Sequence, residues 1–137
     1  MKFNYIVPGD DFSRAGNASS EMKKTLQRLG LPQAVIKRTA VAMYEAEINM
    51  VVHAGGGRAE ITIEPDLITI IMKDDGPGIA DIELAMQDGY STAEDEVREM
   101  GFGAGMGLPN MKRNTDEMLI ETEPGKGTTI TMKIRIL

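Results

Sequence analysis

The stretch LITIIMKDDGPG, residues 67–78, decides how this chain arranges its layers. Its apolar residues alternate with more polar ones, as expected for a strand with one buried face. The buried set is Ile68, Ile70 and Met72. Asp74 is the next residue of the same parity, and Gly76 and Gly78 then allow the backbone to approach a neighbouring group closely. Two interpretations are open: a plain Asp-Gly-Pro-Gly turn, or an aspartate pointing inward where a buried face ends.

The segments around this strand predict an α+β fold. In chain order they are a strand at 2–7, helices at 14–29 and from Pro32 to the HAGGG stretch, strands at 59–64 and 67–73, a short helix at 81–87, a helix at 108–114, and strands at 116–122 and 128–136. Separate runs of strands and helices indicate a two-layer α/β sandwich, with a mostly antiparallel sheet and helices on one face. We expect a single domain over residues 1–137.

Composition excludes several classes of function. The apolar fraction of 42% and charged fraction of 26% are typical of a soluble globular protein. The net charge of -6 argues against nucleic acid or an anionic membrane as the main partner. The chain has no cysteine, which excludes disulfides and thiol catalysis and fits a reducing cytoplasm. No signal peptide or membrane-spanning run is visible, so we expect a cytoplasmic protein whose core, with 11 Met and no Trp, is rich in Met and Ile.

The second predicted helix carries two polar residues one turn apart, Glu45 and Asn49, which project from the same face. Their neighbours on that face are Val41, Ile48 and Val52. Two structural interpretations are open: helix curvature exposes the two side chains, or they cap a neighbouring loop. In the functional interpretation, the helix faces a polar cavity in which Glu45 is a base and Asn49 is a metal or ligand contact. Glu47 points elsewhere and is expected to be a solvated charge. His53, at the helix end, is expected to cap rather than catalyse.

Two further features flank the last predicted helix and strand. The stretch GFGAGMG, residues 101–107, contains G-x-G-x-G at Gly103, Gly105 and Gly107 and fits neither common phosphate-loop pattern. It is either a flexible hinge or an anion site built from exposed N–H groups. Thr128 shares its parity with the inward residues of the last strand. Thr128 either has no role beyond its place at the end of a hairpin, or its hydroxyl is available to a ligand near Asp74.

Together, and in this order, these features resemble the N, G1, G2 and G3 boxes of the GHKL superfamily. The matching patterns are E-x-x-x-N at 45–49, D-x-G-x-G-I at 74–79, G-x-G-x-G-L at 103–108 and G-x-G-T at 125–128. The resemblance covers the chain from the second helix to the last strand and implies the Bergerat ATP-binding fold. The runs IADIELAMQDGYST, GLPNMKR and IETEPGKGTTI are similar to the bacterial anti-sigma-factor serine/threonine kinases, and closest to their switch-kinase branch.

The resemblance implies roles around the nucleobase. Asp74 would accept a hydrogen bond from the adenine amino group, and Thr128 would assist through a water. Gly76 and Gly78 would let the backbone lie against the base.

It also implies roles around the phosphates. Asn49 would hold Mg²⁺, and Glu45 would orient or deprotonate the attacking hydroxyl. Gly103, Gly105 and Gly107 would contact the phosphates as part of an ATP lid around residues 87–107.

The implied function is that of an ATP- and Mg-dependent serine protein kinase that acts as an anti-sigma or switch factor. Its substrate would be a STAS-domain antagonist, an anti-anti-sigma-type protein. The alternative is an ATP-binding regulatory module that sequesters a sigma factor or other regulator with little catalysis. A homodimer is compatible with the resemblance, and neither nucleic acid nor a membrane is expected as a partner.

Overall fold

The computed structural model describes residues 1–9, 12–79, 86 and 107–137. Its main elements are β1 (Lys2–Pro8), α1 (Asn17–Arg28), α2 (Gln33–Asn49), β2 (Gly56–Ile63), β3 (Leu67–Asp74), α3 (Gly107–Arg113), β4 (Glu117–Glu123) and β5 (Gly127–Arg135). A 3₁₀ turn at Phe12–Arg14 precedes α1, and a π-helical turn at Met50–Ala54 continues α2. The predicted element order is confirmed for the described residues. The predicted helix at 81–87 (apart from Met86) and the predicted lid (apart from Gly107) lie outside them.

The described strands form one five-stranded sheet in the order β1-β2-β3-β5-β4, and every neighbouring pair is antiparallel. The pairing of β3 with β5 determines the geometry of the candidate site. These strands pair directly, and their register places Asp74 opposite Thr128. Two residues that are far apart in the chain therefore meet at one end of the sheet.

The core lies between one face of this sheet and the helices. Along β3 and β5 every second residue is buried, as the alternation of residue types predicts. The fully buried large side chains are mostly Met and Ile, as expected from composition: Met22, Met43, Met72, Met111, Met132, Ile61, Ile68, Ile70 and Ile134. The predicted two-layer sandwich is confirmed.

Glu47 corrects one prediction, because its side chain is buried rather than solvated. Only 1% of the residue is exposed. Its Oε2 accepts a hydrogen bond from the N–H of Ala18 and its Oε1 accepts one from the N–H of Ser19, both at 3.0 Å. Helix α1 begins after Gly16, which has no side chain with which to cap it. Glu47 of α2 therefore satisfies two of the free N–H groups at the start of α1.

Candidate functional site

Asp74, the last residue of β3, points inward as its parity predicts and is 9% exposed. Its Oδ1 accepts hydrogen bonds from the backbone N–H groups of Gly76, at 2.9 Å, and Thr128, at 3.2 Å. Both of these described bonds go to the same oxygen. The second oxygen, Oδ2, can therefore accept a hydrogen bond from another donor.

The surroundings of Asp74 disfavour its charge. Burial raises the pKa of this carboxyl above its ordinary value of 3.8, and the nearby charge of Asp75 adds to the rise. The N–H groups of Gly76 and Thr128 oppose the rise but do not cancel it. A carboxylate that is destabilised by burial gains from a further hydrogen-bond donor that reaches it.

Thr128 lies beside this carboxyl and belongs to a small hydroxyl network. It is 5% exposed, and its Oγ1 lies 3.0 Å from Oγ1 of Thr122 on β4. Thr122 in turn accepts a hydrogen bond from the N–H of Ile79 at 2.8 Å. Thr122 was not singled out from the sequence. Thr122 lies opposite Thr128 in the β4–β5 pairing, and the sequence alone does not give the register of that pairing.

The backbone at Gly76 and at Gly78 lies very close to other segments of the protein, where a larger residue would not fit. A Cβ on Gly76 would lie 2.6 Å from Cα of Ala54, at the end of the π-helical turn. A Cβ on Gly78 would lie 2.7 Å from the carbonyl oxygen of Glu123. These distances are shorter than van der Waals contact, so any larger residue would push the loop after Asp74 away from the π-helical turn or from β4.

Glu45 and Asn49 lie on α2, both half-buried, near the point where the helix passes into the π-helical turn. Oε1 of Glu45 accepts a hydrogen bond from Nδ2 of Asn110 on α3 at 3.4 Å. A Cβ on Gly107 would lie 3.6 Å from Oε2, so this oxygen faces the start of α3. The side chain of Glu45 thus extends from α2 toward α3, the helix that follows the glycine-rich stretch.

The π-helical turn joins these two groups of residues. Its last residue, Ala54, packs against the Gly76 backbone, so the end of α2 abuts the loop after β3. A π-helical turn within a helix is frequently found at functional sites. Burial lowers the pKa of His53, in this turn, below 6.5 and favours its neutral form.

The structure places the predicted site residues that it describes in two groups, which the contact between Ala54 and Gly76 connects. Asp74, Thr128, Gly76 and Gly78 meet around the ends of β3 and β5. Glu45 and Gly107 lie where α2 and α3 meet, and Asn49 is the last residue of α2, one turn after Glu45. Gly103 and Gly105 are outside the described residues.

A magnesium ion would find few protein ligands here. Among the residues that the structure describes, no group of three or more His, Asp or Glu side chains could hold a metal ion. Magnesium at phosphate sites usually has one or two protein oxygen ligands, with phosphates and waters as the rest. The amide oxygen of Asn49 fits that requirement.

Comparison with known proteins identifies the family. Residues 34–137 match the family model described as histidine kinase-, DNA gyrase B-, and HSP90-like ATPase. The chain belongs to this ATPase family. The resemblance to the GHKL superfamily is thereby confirmed, and membership in an ATPase family implies ATP binding.

Curated relatives within the family carry regulatory names. The chain is 34% identical over 112 residues to the serine/threonine-protein kinase RsbT of Bacillus subtilis (strain 168), covering 79% of this chain and 78% of that protein. It is 39% identical over 139 residues to an anti-sigma F factor of Caldanaerobacter subterraneus subsp. tengcongensis, covering 96% of this chain and 89% of the relative. The similarity to switch kinases and anti-sigma factors that the sequence indicates is therefore confirmed.

Solved structures support the fold of this ATPase family member. The RsbU and RsbW domains of Rv1364c from Mycobacterium tuberculosis align with a TM-score of 0.68 at 15% identity, over 99% of this chain and 32% of that longer chain. The mycobacterial sensor histidine kinase MprB aligns with a TM-score of 0.55 at 15% identity, over 98% of this chain and 97% of that one. No helix in the described part of the chain is long and apolar enough to cross a membrane.

Proposed function

We propose that this chain is an ATP- and Mg-dependent serine protein kinase that acts in the cytoplasm as an anti-sigma or switch factor and phosphorylates a STAS-domain antagonist. One observation carries the proposal. Asp74 points inward and its Oδ2 has no hydrogen bond from the described residues, while the π-helical turn that continues the helix of Glu45 and Asn49 packs against the loop after Asp74. The relatives named as a serine/threonine kinase and an anti-sigma F factor support it.

The nucleobase contacts follow from the hydrogen bonds around Asp74. Oδ1 is engaged by two backbone N–H groups, so Oδ2 accepts from the adenine amino group. Thr128 assists through a water, because its backbone N–H already bonds the same carboxyl and its hydroxyl belongs to the neighbouring network with Thr122. The backbone at Gly76 and Gly78 lies against the base. This arrangement reads a hydrogen-bond donor on the base, which adenine has and guanine lacks at that position.

The phosphate contacts rest on α2 and on the glycine-rich sequence. Asn49 holds Mg²⁺, which offsets the phosphate charge when bound. Gly103, Gly105 and Gly107 offer N–H groups to the phosphates, within an ATP lid at residues 87–107 of a single 1–137 domain. The proposed roles of Gly103 and Gly105 rest on the sequence pattern alone.

Glu45 acts on the attacking group. A bond forms between the serine oxygen of the partner protein and the γ-phosphorus, while the bond from that phosphorus to the β–γ bridging oxygen breaks and ADP leaves with the electron pair. The proton of the serine hydroxyl passes to the Glu45 carboxylate. Because such a transfer depends mainly on positioning and charge stabilisation, a single carboxylate on a fixed helix is sufficient.

The replacement Glu45→Ala tests this assignment. We expect Mg-ATP affinity within about twofold of the parent, because Glu45 does not touch the base, and transfer reduced by about 100-fold or more. Labelled ATP, candidate STAS-domain proteins and phosphosite mapping provide the measurement. Glu64→Ala, which removes an exposed glutamate in the β2–β3 turn, is the matched control and should transfer at the parental rate. Equal transfer by Glu45→Ala and the parent would remove Glu45 from the mechanism.

A second candidate function is supported by the anti-sigma F factor relative, which covers 96% of this chain. In this case the chain is an ATP-binding module that sequesters a sigma factor or other regulator with little catalysis. A pull-down with and without Mg-ATP separates the two. A complex that depends on nucleotide but yields no phosphoserine supports sequestration, whereas phosphoserine on the retained partner supports the kinase.

A further inference from the structure

Asn110 on α3 lies near Glu45 and is not among the site residues that the sequence predicts. Its Nδ2 donates to Oε1 of Glu45 at 3.4 Å, across 65 residues of chain. The other oxygen, Oε2, faces the start of α3 at Gly107, where no side chain intervenes. The two oxygens of Glu45 therefore have different surroundings: one is engaged by an amide, and the other faces the end of the glycine-rich stretch.

The orientation of the Asn110 amide is set by Arg113. Nη1 of Arg113 donates to Oδ1 of Asn110 at 3.0 Å. A guanidinium group has donors and no acceptor, so only the amide oxygen can face it. The NH₂ group is consequently turned toward Glu45, and the contact between Asn110 and Glu45 is a donor meeting an acceptor.

Helix α3 holds Asn110 in place through its buried face. Met111 is fully buried and Leu108 is 7% exposed, which ties the helix to the core on both sides of Asn110. The side chain of Asn114 donates to the backbone oxygen of Asn110 at 2.8 Å. Asn110 therefore stands on a fixed element, as a group that must position another side chain requires.

We propose that Asn110 is a positioning residue for Glu45. Its amide, fixed by Arg113, holds Oε1 so that Oε2 is the oxygen that receives the proton of the substrate hydroxyl. This inference rests on the proposed kinase function and adds to it the residue that selects which oxygen of the carboxylate acts.

Asn110→Asp is the sharpest test because the two side chains have the same shape. Aspartate keeps the packing and the contact with Arg113, but it replaces the donor that faces Glu45 by an acceptor, so it repels the carboxylate. Asn110→Ala removes the donor without repulsion. We expect both variants to bind Mg-ATP as the parent does and to transfer phosphate about 10- to 100-fold more slowly, with the effect on kcat rather than on KM for ATP.

Asn4→Asp is the matched control, because it makes the same replacement at an exposed asparagine on β1, which has no described contact with Glu45 or Asn110. It should transfer at nearly the parental rate. In a Glu45→Gln background, Asn110→Ala should cause no further loss, because Asn110 acts through Glu45. Parental transfer by Asn110→Asp would overturn the proposal, since a purely structural role survives that change.

A crystal structure of the nucleotide-free Asn110→Asp variant separates this inference from the kinase proposal. We expect the Glu45 carboxylate to have turned away from residue 110. A carboxylate in its parental position would overturn the positioning role, whether or not the chain transfers phosphate. Failure of the parent to phosphorylate any partner would instead overturn the kinase function, while the displaced carboxylate would still show that Asn110 orients Glu45.

Discussion

At the scale of a single residue, burial of the Asp74 carboxylate reduces the stability of the fold, while the same carboxylate is proposed to bind the nucleobase. Its pKa is raised in the folded state, mainly by burial. The stabilising contribution of its protonated form is therefore fully present below the unfolded pKa and is lost as pH rises through the higher folded pKa. Once Asp74 is ionised, the folded protein carries a charge that its surroundings disfavour, and the same carboxyl offers the acceptor that the proposed nucleobase contact needs.

The replacement Asp74→Asn should separate the cost from the role. The amide oxygen keeps the bonds from Gly76 and Thr128, and no charge remains to be buried. We expect the variant to gain stability relative to the parent as pH rises through the titration of Asp74. Urea unfolding between pH 3 and pH 8 provides the measurement. A variant that instead lost stability relative to the parent with rising pH would contradict a raised pKa for Asp74.

The same variant should lose Mg-ATP binding in calorimetry, because an NH₂ group would replace Oδ2 and face the donor of the base. Asp75→Asn, one position along and exposed, is the control and should still bind. Unchanged ATP affinity in Asp74→Asn would contradict the proposed contact with the base.

At the scale of elements, the joint between α1 and α2 depends on Glu47. In Glu47→Ala the N–H groups of Ala18 and Ser19 would be buried without an acceptor. We expect the free energy of unfolding to fall by about 3 kcal/mol, as measured by urea denaturation. Glu47→Gln keeps one acceptor oxygen and should lose less.

Glu21→Ala serves as the control for this joint, because Glu21 is an exposed glutamate on α1 itself. Its unfolding free energy should stay within about 0.5 kcal/mol of the parent. If Glu47→Ala also stayed within that margin, the cap would not be what holds the two helices together.

The elements differ in how far the sequence predicts them. Alternation within β3 and β5 is a local pattern, so it predicts that Asp74 and Thr128 point inward without any information about the partner strand. Helical spacing likewise predicted the shared face of Glu45 and Asn49. Glu47 was wrongly predicted, although it lies four residues after the buried Met43. The carboxylate of Glu47 accepts hydrogen bonds from backbone N–H groups at the start of α1, about 28 residues earlier in the chain. A local sequence pattern does not reveal a partner at that distance.

The contacts of Thr122 and Asn110 show the same limit. Thr122 matters because of the register between β4 and β5, and Asn110 because α3 packs against α2. Both depend on how elements are placed relative to one another. Residue type and spacing do not carry that information, so these two members of the site emerged only from the three-dimensional arrangement.

At the scale of the whole molecule, the proposed site draws on α2, β3 and β5, so that ligand binding and global stability should be linked. Saturation with Mg-ATP at about 100 times its Kd should raise the free energy of unfolding by about 2.7 kcal/mol. Removal of the metal with EDTA should cancel most of this gain, because ATP is an anion and the chain carries a net charge of -6. Thermal unfolding of the parent and of Asp74→Asn, with ATP, Mg-ATP and ATP plus EDTA, checks this.

Asp74→Asn should show no Mg-ATP-dependent rise in melting temperature. A rise in the variant equal to that of the parent would place the nucleotide elsewhere. A parental rise that survives EDTA in full would argue against a role for the metal in binding.

The strand order also bears on how the protein is made. In the sheet, β3 lies between β2, which precedes it, and β5, which is translated only after α3 and β4. Until the ribosome has delivered residues 127–135, one edge of β3 lacks its partner strand, and the N–H of Thr128 is not there to bond Asp74. An unpaired apolar strand invites pairing with other chains. The nascent protein is therefore exposed to aggregation from the synthesis of β3 until that of β5, and ATP can protect only the completed chain.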